Sequence, residues 1–361
     1  MTDRRPLVVV RDEHLLDEVL RLAAAADCEV ECAPDLFSAR GGWAQAPVVI
    51  LDEYSMTRYA PEGLPRRSAV MLVCPGEPET STWQQAFAAG AEHVIVLPAE
   101  ESTLIAVLAD VAEAPSGSDG RVLAVIGGRG GGGSSVFAAS VAVTAARAGD
   151  DAVLIDGDPL GGGIDLVLGA ELDSGLRWPG VSLNSGRVSM SALWDALPTF
   201  SYPEGRLGML SCARDGSGPK LDGVAAILDA GRRSGCTVVC DLPRELDASG
   251  WAVVDHADLV VLVVPAEVRA CAAAKVLAHR LSDRAQRVGL VVRGPAPDAL
   301  SADAVAAAVD LPLLAVMRAE PRLAVGLERA AFDPKPSGPL ARGARAVLDE
   351  LWSACAQPGA A

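Results

Sequence analysis

Aromatic residues are scarce in this chain: Phe, Trp and Tyr together supply 4% of 361 residues. Half of the residues are hydrophobic, so any core is packed from Val, Leu, Ala and Ile. No apolar run reaches the roughly 18 residues of a membrane span, and stable membrane insertion is not expected. The start, MTDRRPLVVV, enters a strand-like run at once and has no signal-peptide h-region, so a cytoplasmic protein is expected. Excess basic charge is also missing. A net charge of −16 argues against general binding to nucleic acid or anionic lipid, and no specific nucleic-acid partner is expected. No C-x-x-C occurs among the eight cysteines, which speaks against a zinc site. Cys28 and Cys32, like Cys236 and Cys240, are four residues apart. On a strand that offset spans about 13 Å, too far for a disulfide. Buried, reduced thiols are expected.

What is present is concentrated in residues 122–149, VLAVIGGRGGGGSSVFAASVAVTAARAG. Val122 to Ile126 is a continuous apolar run of the kind buried on both faces of a sheet. Gly127 to Gly133 follow, interrupted only by Arg129, and then Ser134, Ser135 and a small-residue helix pattern to about Arg147. Strand, glycine loop and helix in that order form a phosphate-binding arrangement. Glycines let successive N–H groups curl around an anion, and the helix N-terminus adds partial positive charge. Against the phosphate-loop pattern G-x-x-x-x-G-K-[ST], Gly128, Gly133 and Ser135 fit, while Ser134 stands where lysine is expected.

Residues 6–112 alternate short apolar runs with helical patterns. Strands are expected at 6–10, 28–32, 47–52, 68–76 and 93–98. Helices are expected at 14–26, 35–40, 82–90 and 100–112, the last capped near Ser102. Asp52 closes the third strand. Five strands at this rhythm indicate a doubly wound parallel sheet. EAPSGSDGR (113–121) reads as a linker. Beyond the loop helix, VLIDGDP puts Asp156 and Asp158 at the carboxyl end of a strand, suited to orienting water. Asp165 suits a helix cap, and Trp178 and Trp194 suit packing or a partner contact. A strand at 236–241 ends in Asp241, placed for a Walker B role: it accepts a hydrogen bond from Mg²⁺-bound water while Ser135 ligates the metal. Further strands are expected at 206–211, 257–267, 287–297 and 311–317. The helix at 339–354 carries mixed charge and is expected to dock on its own domain.

Residues 88–98 (AAGAEHVIVLP) and Asp52 resemble a response-regulator receiver, a flavodoxin-like fold. That resemblance implies a lysine after the fifth strand and a hydroxyl after the fourth, where Leu97 and Cys74 stand. Asp52 is therefore a pseudo-phosphoacceptor, and a phosphorylation-switched response regulator is the less favoured alternative. The second half resembles the MinD/ParA group of deviant Walker A ATPases in GGRGGGGSS (127–135), VLIDGDPLGGGIDLVLG (153–169), VVCDLPR (238–244) and VLVVPAE (261–267). With a receiver-like domain in front, the chain resembles the CpaE/TadZ branch. Through RGGGGSS, GLRWP, LVVRGPAP and GPLARGARAVLDEL it resembles the actinobacterial septum-site-determining members of that branch.

The resemblance implies a pseudo-receiver at 1–114, a linker at 115–120, a P-loop domain with a mostly parallel sheet at 121–355 and a disordered tail at 356–361. It implies ATP or ADP with Mg²⁺, bound through Gly128, Arg129, Gly130, Gly131, Gly132, Gly133, Ser134, Ser135, Val136 and Arg293. Arg129 stands at the signature lysine that crosses to the partner's phosphates, and Arg293 at the usual adenine-reading asparagine. A homodimer is implied, at most weakly ATPase-active, that contacts division or secretion-apparatus proteins at the septum or pole. A working ATPase of the same group is the alternative.

Overall fold

The computed structural model describes residues 5–59, 64–65, 67, 69–79, 81–83, 86, 91, 93–113, 120–181, 188, 190–215, 218–294 and 300–353. The chain divides into two compact units, Met1–Ser116 and Gly117–Ala361.

The first unit is built on five parallel strands, β1 (Leu7–Val9), β2 (Glu31–Cys32), β3 (Val49–Leu51), β4 (Val70–Cys74) and β5 (His93–Val96). Their spatial order, β2-β1-β3-β4-β5, reverses direction between β1 and β3. Side chains alternate across the sheet, so Leu7 and Val9 enter one core while Val8 and Val10 enter the other. The helix Glu13–Ala25 buries Leu15, Val19 and Leu22, as its 3.6-residue period requires. Asp12 caps it by accepting from the Leu15 N–H at 2.9 Å.

Three local expectations shift. The second strand shortens to Glu31–Cys32, an exposed edge. The helix expected at 35–40 forms instead at Arg40–Trp43, where Trp43 can be buried. The helix Glu101–Glu113 begins one residue before Ser102, which therefore lies in its first turn rather than capping it. Most of the helix expected at 82–90 lies outside the described residues, as do residues 114–119 of the linker and the tail 356–361.

The second unit carries eight strands, β6 (Arg121–Gly127), β7 (Asp151–Asp156), β8 (Thr199–Ser201), β9 (Arg206–Leu210), β10 (Thr237–Leu242), β11 (Leu259–Pro265), β12 (Val288–Arg293) and β13 (Leu313–Met317). Their order is β13-β12-β11-β6-β10-β7-β9-β8, and only β8 runs antiparallel. β6 is central. Val122, Ala124 and Ile126 enter the core on one face, Leu123 and Val125 the core on the other. Helix Ser134–Arg147 leaves β6 through the glycine loop and is buried from Phe137 to Ala146. Helix Pro339–Ser353 packs Leu340, Ala344, Val347 and Leu351 into the same core, so it docks on its own domain. Trp178 and Trp194 are buried, in agreement with a packing role. The seven described cysteines are free thiols, all buried except Cys32.

Candidate functional site

The glycine loop crosses the carboxyl end of β6, and close packing fixes its path. A Cβ on Gly128 would lie 2.8 Å from the Val264 side chain and 3.0 Å from the Ala274 Cβ, so only glycine fits there. Gly128 also donates its N–H to the Val263 carbonyl at 2.9 Å. Gly133 has φ +93°, a left-handed turn that starts the helix at Ser134. Among the described residues, no hydrogen-bond acceptor is recorded for the N–H groups of Gly130, Gly131 and Gly133. Donors left free at a helix N-terminus make an anion cradle.

Ser134 occupies the lysine position at the first turn and puts its hydroxyl, not a cation, beside Gly127. Val136, one turn in, is half-buried against the core. Two arginines approach the loop. Arg129 ion-pairs with Glu267 of its own chain, Nη2 to Oε1 at 3.0 Å, with both side chains 40% exposed. Arg293, at the end of β12, donates from Nη1 to the Gly132 carbonyl at 3.1 Å. Ionic contact with Glu267 was not foreseen, although Glu267 ends the VLVVPAE segment and is the nearest opposite charge.

β10 lies between β6 and β7, and its register sets Asp241 opposite both Val125 and Asp156. Asp241 is 4% exposed, and burial pushes its carboxyl up to about 7. The Ser135 hydroxyl beside it offsets part of that rise, while the charges of Asp156 and Asp158 add to it. Asp241 Oδ1 is buried without a hydrogen-bond partner. An orphaned carboxylate oxygen with a serine hydroxyl beside it suits a hydrated divalent cation next to phosphate. The two residues that the sequence pairs for Mg²⁺ are therefore brought together.

The Asp156 carboxylate is committed elsewhere. Its Oδ1 accepts from Asp158 N–H at 3.1 Å, and its Oδ2 from Ile164 N–H at 3.2 Å, the Ser211 hydroxyl at 3.3 Å and Cys212 N–H at 3.4 Å. The Asp156 carbonyl accepts from Trp178 Nε1 at 2.6 Å. Burial raises the Asp156 pKa, and these backbone donors oppose the rise. Asp156 thus ties down the DGDPLGGGI loop and satisfies the first N–H of the helix Ile164–Leu168. Asp156 shares the capping role expected of Asp165, whose Oδ1 accepts from the first-turn Leu166 N–H at 2.9 Å and also ion-pairs with Arg214 at 2.8 Å. Asp158 is half-buried, and among the described residues its carboxylate accepts only from Leu160 N–H, at 3.1 Å.

In the first unit Asp52 is 5% exposed. Its Oδ2 accepts from Arg11 N–H at 2.6 Å and its Oδ1 from Ser55 N–H at 2.8 Å. Leu97 and Cys74 are buried, and burial pushes the Cys74 thiol up to about 11. No group of three or more His, Cys, Asp or Glu able to hold a metal is found among the described residues.

Comparison with known proteins agrees with this division. Residues 9–119 match the model of the Rv3660c-like, CheY-like N-terminal domain. Over 346 residues the chain is 45% identical to Rv3660c of Mycobacterium tuberculosis strain H37Rv, which covers 95% of this chain and 97% of that one. The chain belongs to the Rv3660c-like family. The protein MT3760 of M. tuberculosis strain CDC 1551 matches equally, at 45% over 346 residues. The ParA family ATPase of Chlorobium tepidum covers 63% of this chain and 98% of its own, at 16% identity and a TM-score of 0.55. The cell division ATPase MinD of Pyrococcus furiosus covers 64% and 99%, at 18% identity and a TM-score of 0.50. At these identities the likeness establishes the fold: a CheY-like unit followed by a MinD/ParA-like P-loop unit.

Proposed function

We propose that this Rv3660c-like chain is a positioning regulator of the CpaE/TadZ and septum-site-determining type. It binds ATP or ADP with Mg²⁺ weakly and acts as a homodimer through contacts with division or secretion-apparatus proteins at the septum or pole. The observation that carries this reading is the loop itself. Its backbone cradle and the Ser135–Asp241 pair are kept, but the one cation built into the cradle is replaced by the Ser134 hydroxyl. Gly128 to Gly133, Ser134 and Ser135 hold phosphate groups, and Val136 buttresses the helix behind them. Ser135 and Asp241 hold the hydrated Mg²⁺, which supplies positive charge against the phosphates. Asp158 orients water, and Asp156 fixes the loop that presents it. The Chlorobium tepidum and Pyrococcus furiosus neighbours are both named ATPases, which supports a nucleotide at this loop.

Losing one charge-assisted contact to phosphate weakens binding or turnover about ten- to a hundred-fold. Steady-state ATP hydrolysis tests the reading: turnover is expected at or near background, and Ser134→Lys is expected to raise it. Fast turnover by the wild-type chain contradicts it.

A second reading, a working ATPase, rests on Arg293. Its guanidinium already reaches the loop at Gly132 and brings a cation from β12. Rapid hydrolysis that Ser134→Lys does not improve but Arg293→Ala abolishes selects this second reading.

A further inference from the structure

Ligands of open parallel sheets bind outside the carboxyl ends of the strands, where the strand order reverses. In the first unit that point lies between β1 and β3, and a small cavity of about 160 Å³ opens there. Its lining comes from the turn after β1 (Arg11), the turn after β2 (Asp35, Phe37) and the helix after β3 (Tyr54, Ser55, Arg58). Two guanidinium groups of this lining stand over one ring. Arg11 lies 4.7 Å and Arg58 4.5 Å from the Tyr54 ring centroid. Neither side chain has a carboxylate within ion-pair distance among the described residues. Ser55 is 4% exposed, and no hydrogen-bond partner is recorded for its hydroxyl among the described residues. Two guanidinium groups without a carboxylate partner and the Ser55 hydroxyl, all lining one cavity, form a donor set open to an acceptor.

The carboxylates beside this lining are already engaged: Asp52 accepts from Arg11 and Ser55 N–H, Asp35 from Ser38 N–H at 2.8 Å, Asp12 from Leu15 N–H at 2.9 Å and Glu53 from the Thr82 hydroxyl. Ser38 holds the Asp35 carboxyl below its ordinary range, with Arg11 contributing.

From this geometry we infer a non-covalent site for a small phosphorylated ligand. Arg11 and Arg58 bind the phosphate oxygens as forks, and Ser55 donates from beneath. The cavity volume admits a phosphate group and little more, with the rest of the ligand left outside against Tyr54 and the exposed Phe37. The site is independent of the glycine loop and gives the pseudo-receiver a ligand without phosphorylation of Asp52.

The test uses the full chain labelled with ¹³C-tyrosine and titrated with inorganic phosphate, with chloride at matched ionic strength as control. The Tyr54 signal is assigned by its loss in Tyr54→Phe. A saturable shift of that signal with phosphate but not chloride is expected. The Arg11→Gln/Arg58→Gln double variant should weaken it at least about tenfold, and Ser55→Ala should weaken it less. An unchanged far-UV circular dichroism spectrum and melting transition in each variant show that the fold persists. A shift that chloride reproduces, a shift that survives in the double variant, or no saturable shift overturns the proposal.

Discussion

Arg129 and Arg293 both stand at the loop, and they are held differently. Arg129 is tied to Glu267 at 3.0 Å in a half-exposed pair, an interaction of little strength by itself. Arg293 already bonds to the loop backbone at Gly132. Arg293→Ala is therefore expected to weaken nucleotide binding by the single chain about tenfold, and Arg129→Ala by less than about twofold. Equilibrium binding at low protein concentration checks both, and a larger loss for Arg129 contradicts the assignment. Asp241 gives a pH signature. Its folded pKa, about 7, lies above the ordinary carboxylate value of 3.8, so between these limits the native state holds a proton that the unfolded chain releases. The stability this confers is full below pH 4 and is lost as pH rises through about 7. In metal-free protein, Asp241→Asn should flatten that decline by a few kcal/mol between these limits. Parallel denaturation curves for the two proteins across the window contradict it.

At the scale of elements, the strand–loop–helix of β6 was legible because each part carries its own local code. An unbroken apolar run, a glycine block and a small-residue helix need no knowledge of distant contacts. Asp241 was legible as the end of a buried strand. The work of Asp156 was not, because its partners Ser211 and Cys212 lie 55 and 56 residues away. The three-residue strand β8 was missed for a related reason: Thr199–Ser201 is too short for alternation to show, and its pairing with β9 defines it. The turn after β3 gives a further prediction. Asp52 is buried, with both oxygens held by N–H groups, while Leu97 and Cys74 stand where a receiver has its lysine and hydroxyl. Small phosphodonors with Mg²⁺ are expected to leave the intact mass unchanged. A stable phosphoryl adduct lost in Asp52→Ala contradicts that and favours a phosphorylation switch.

For the whole molecule, charge and composition set the partners. No described helix is long and apolar enough to cross a membrane, and the net charge is −16. The helix Pro339–Ser353, which could otherwise have served as an amphipathic anchor, has its apolar stripe in the core. Co-sedimentation with anionic vesicles is therefore expected to be negligible, and salt-sensitive pelleting contradicts it.

Weak nucleotide binding by a lysine-free loop is the claim on which the functional reading depends. Titration of a fluorescent ATP analogue, with and without Mg²⁺, into wild-type and Ser134→Lys protein measures it directly. The account predicts weak, Mg²⁺-assisted binding by the wild type and a gain of roughly ten- to a hundred-fold in the variant. Tight wild-type binding that the lysine does not improve would contradict it.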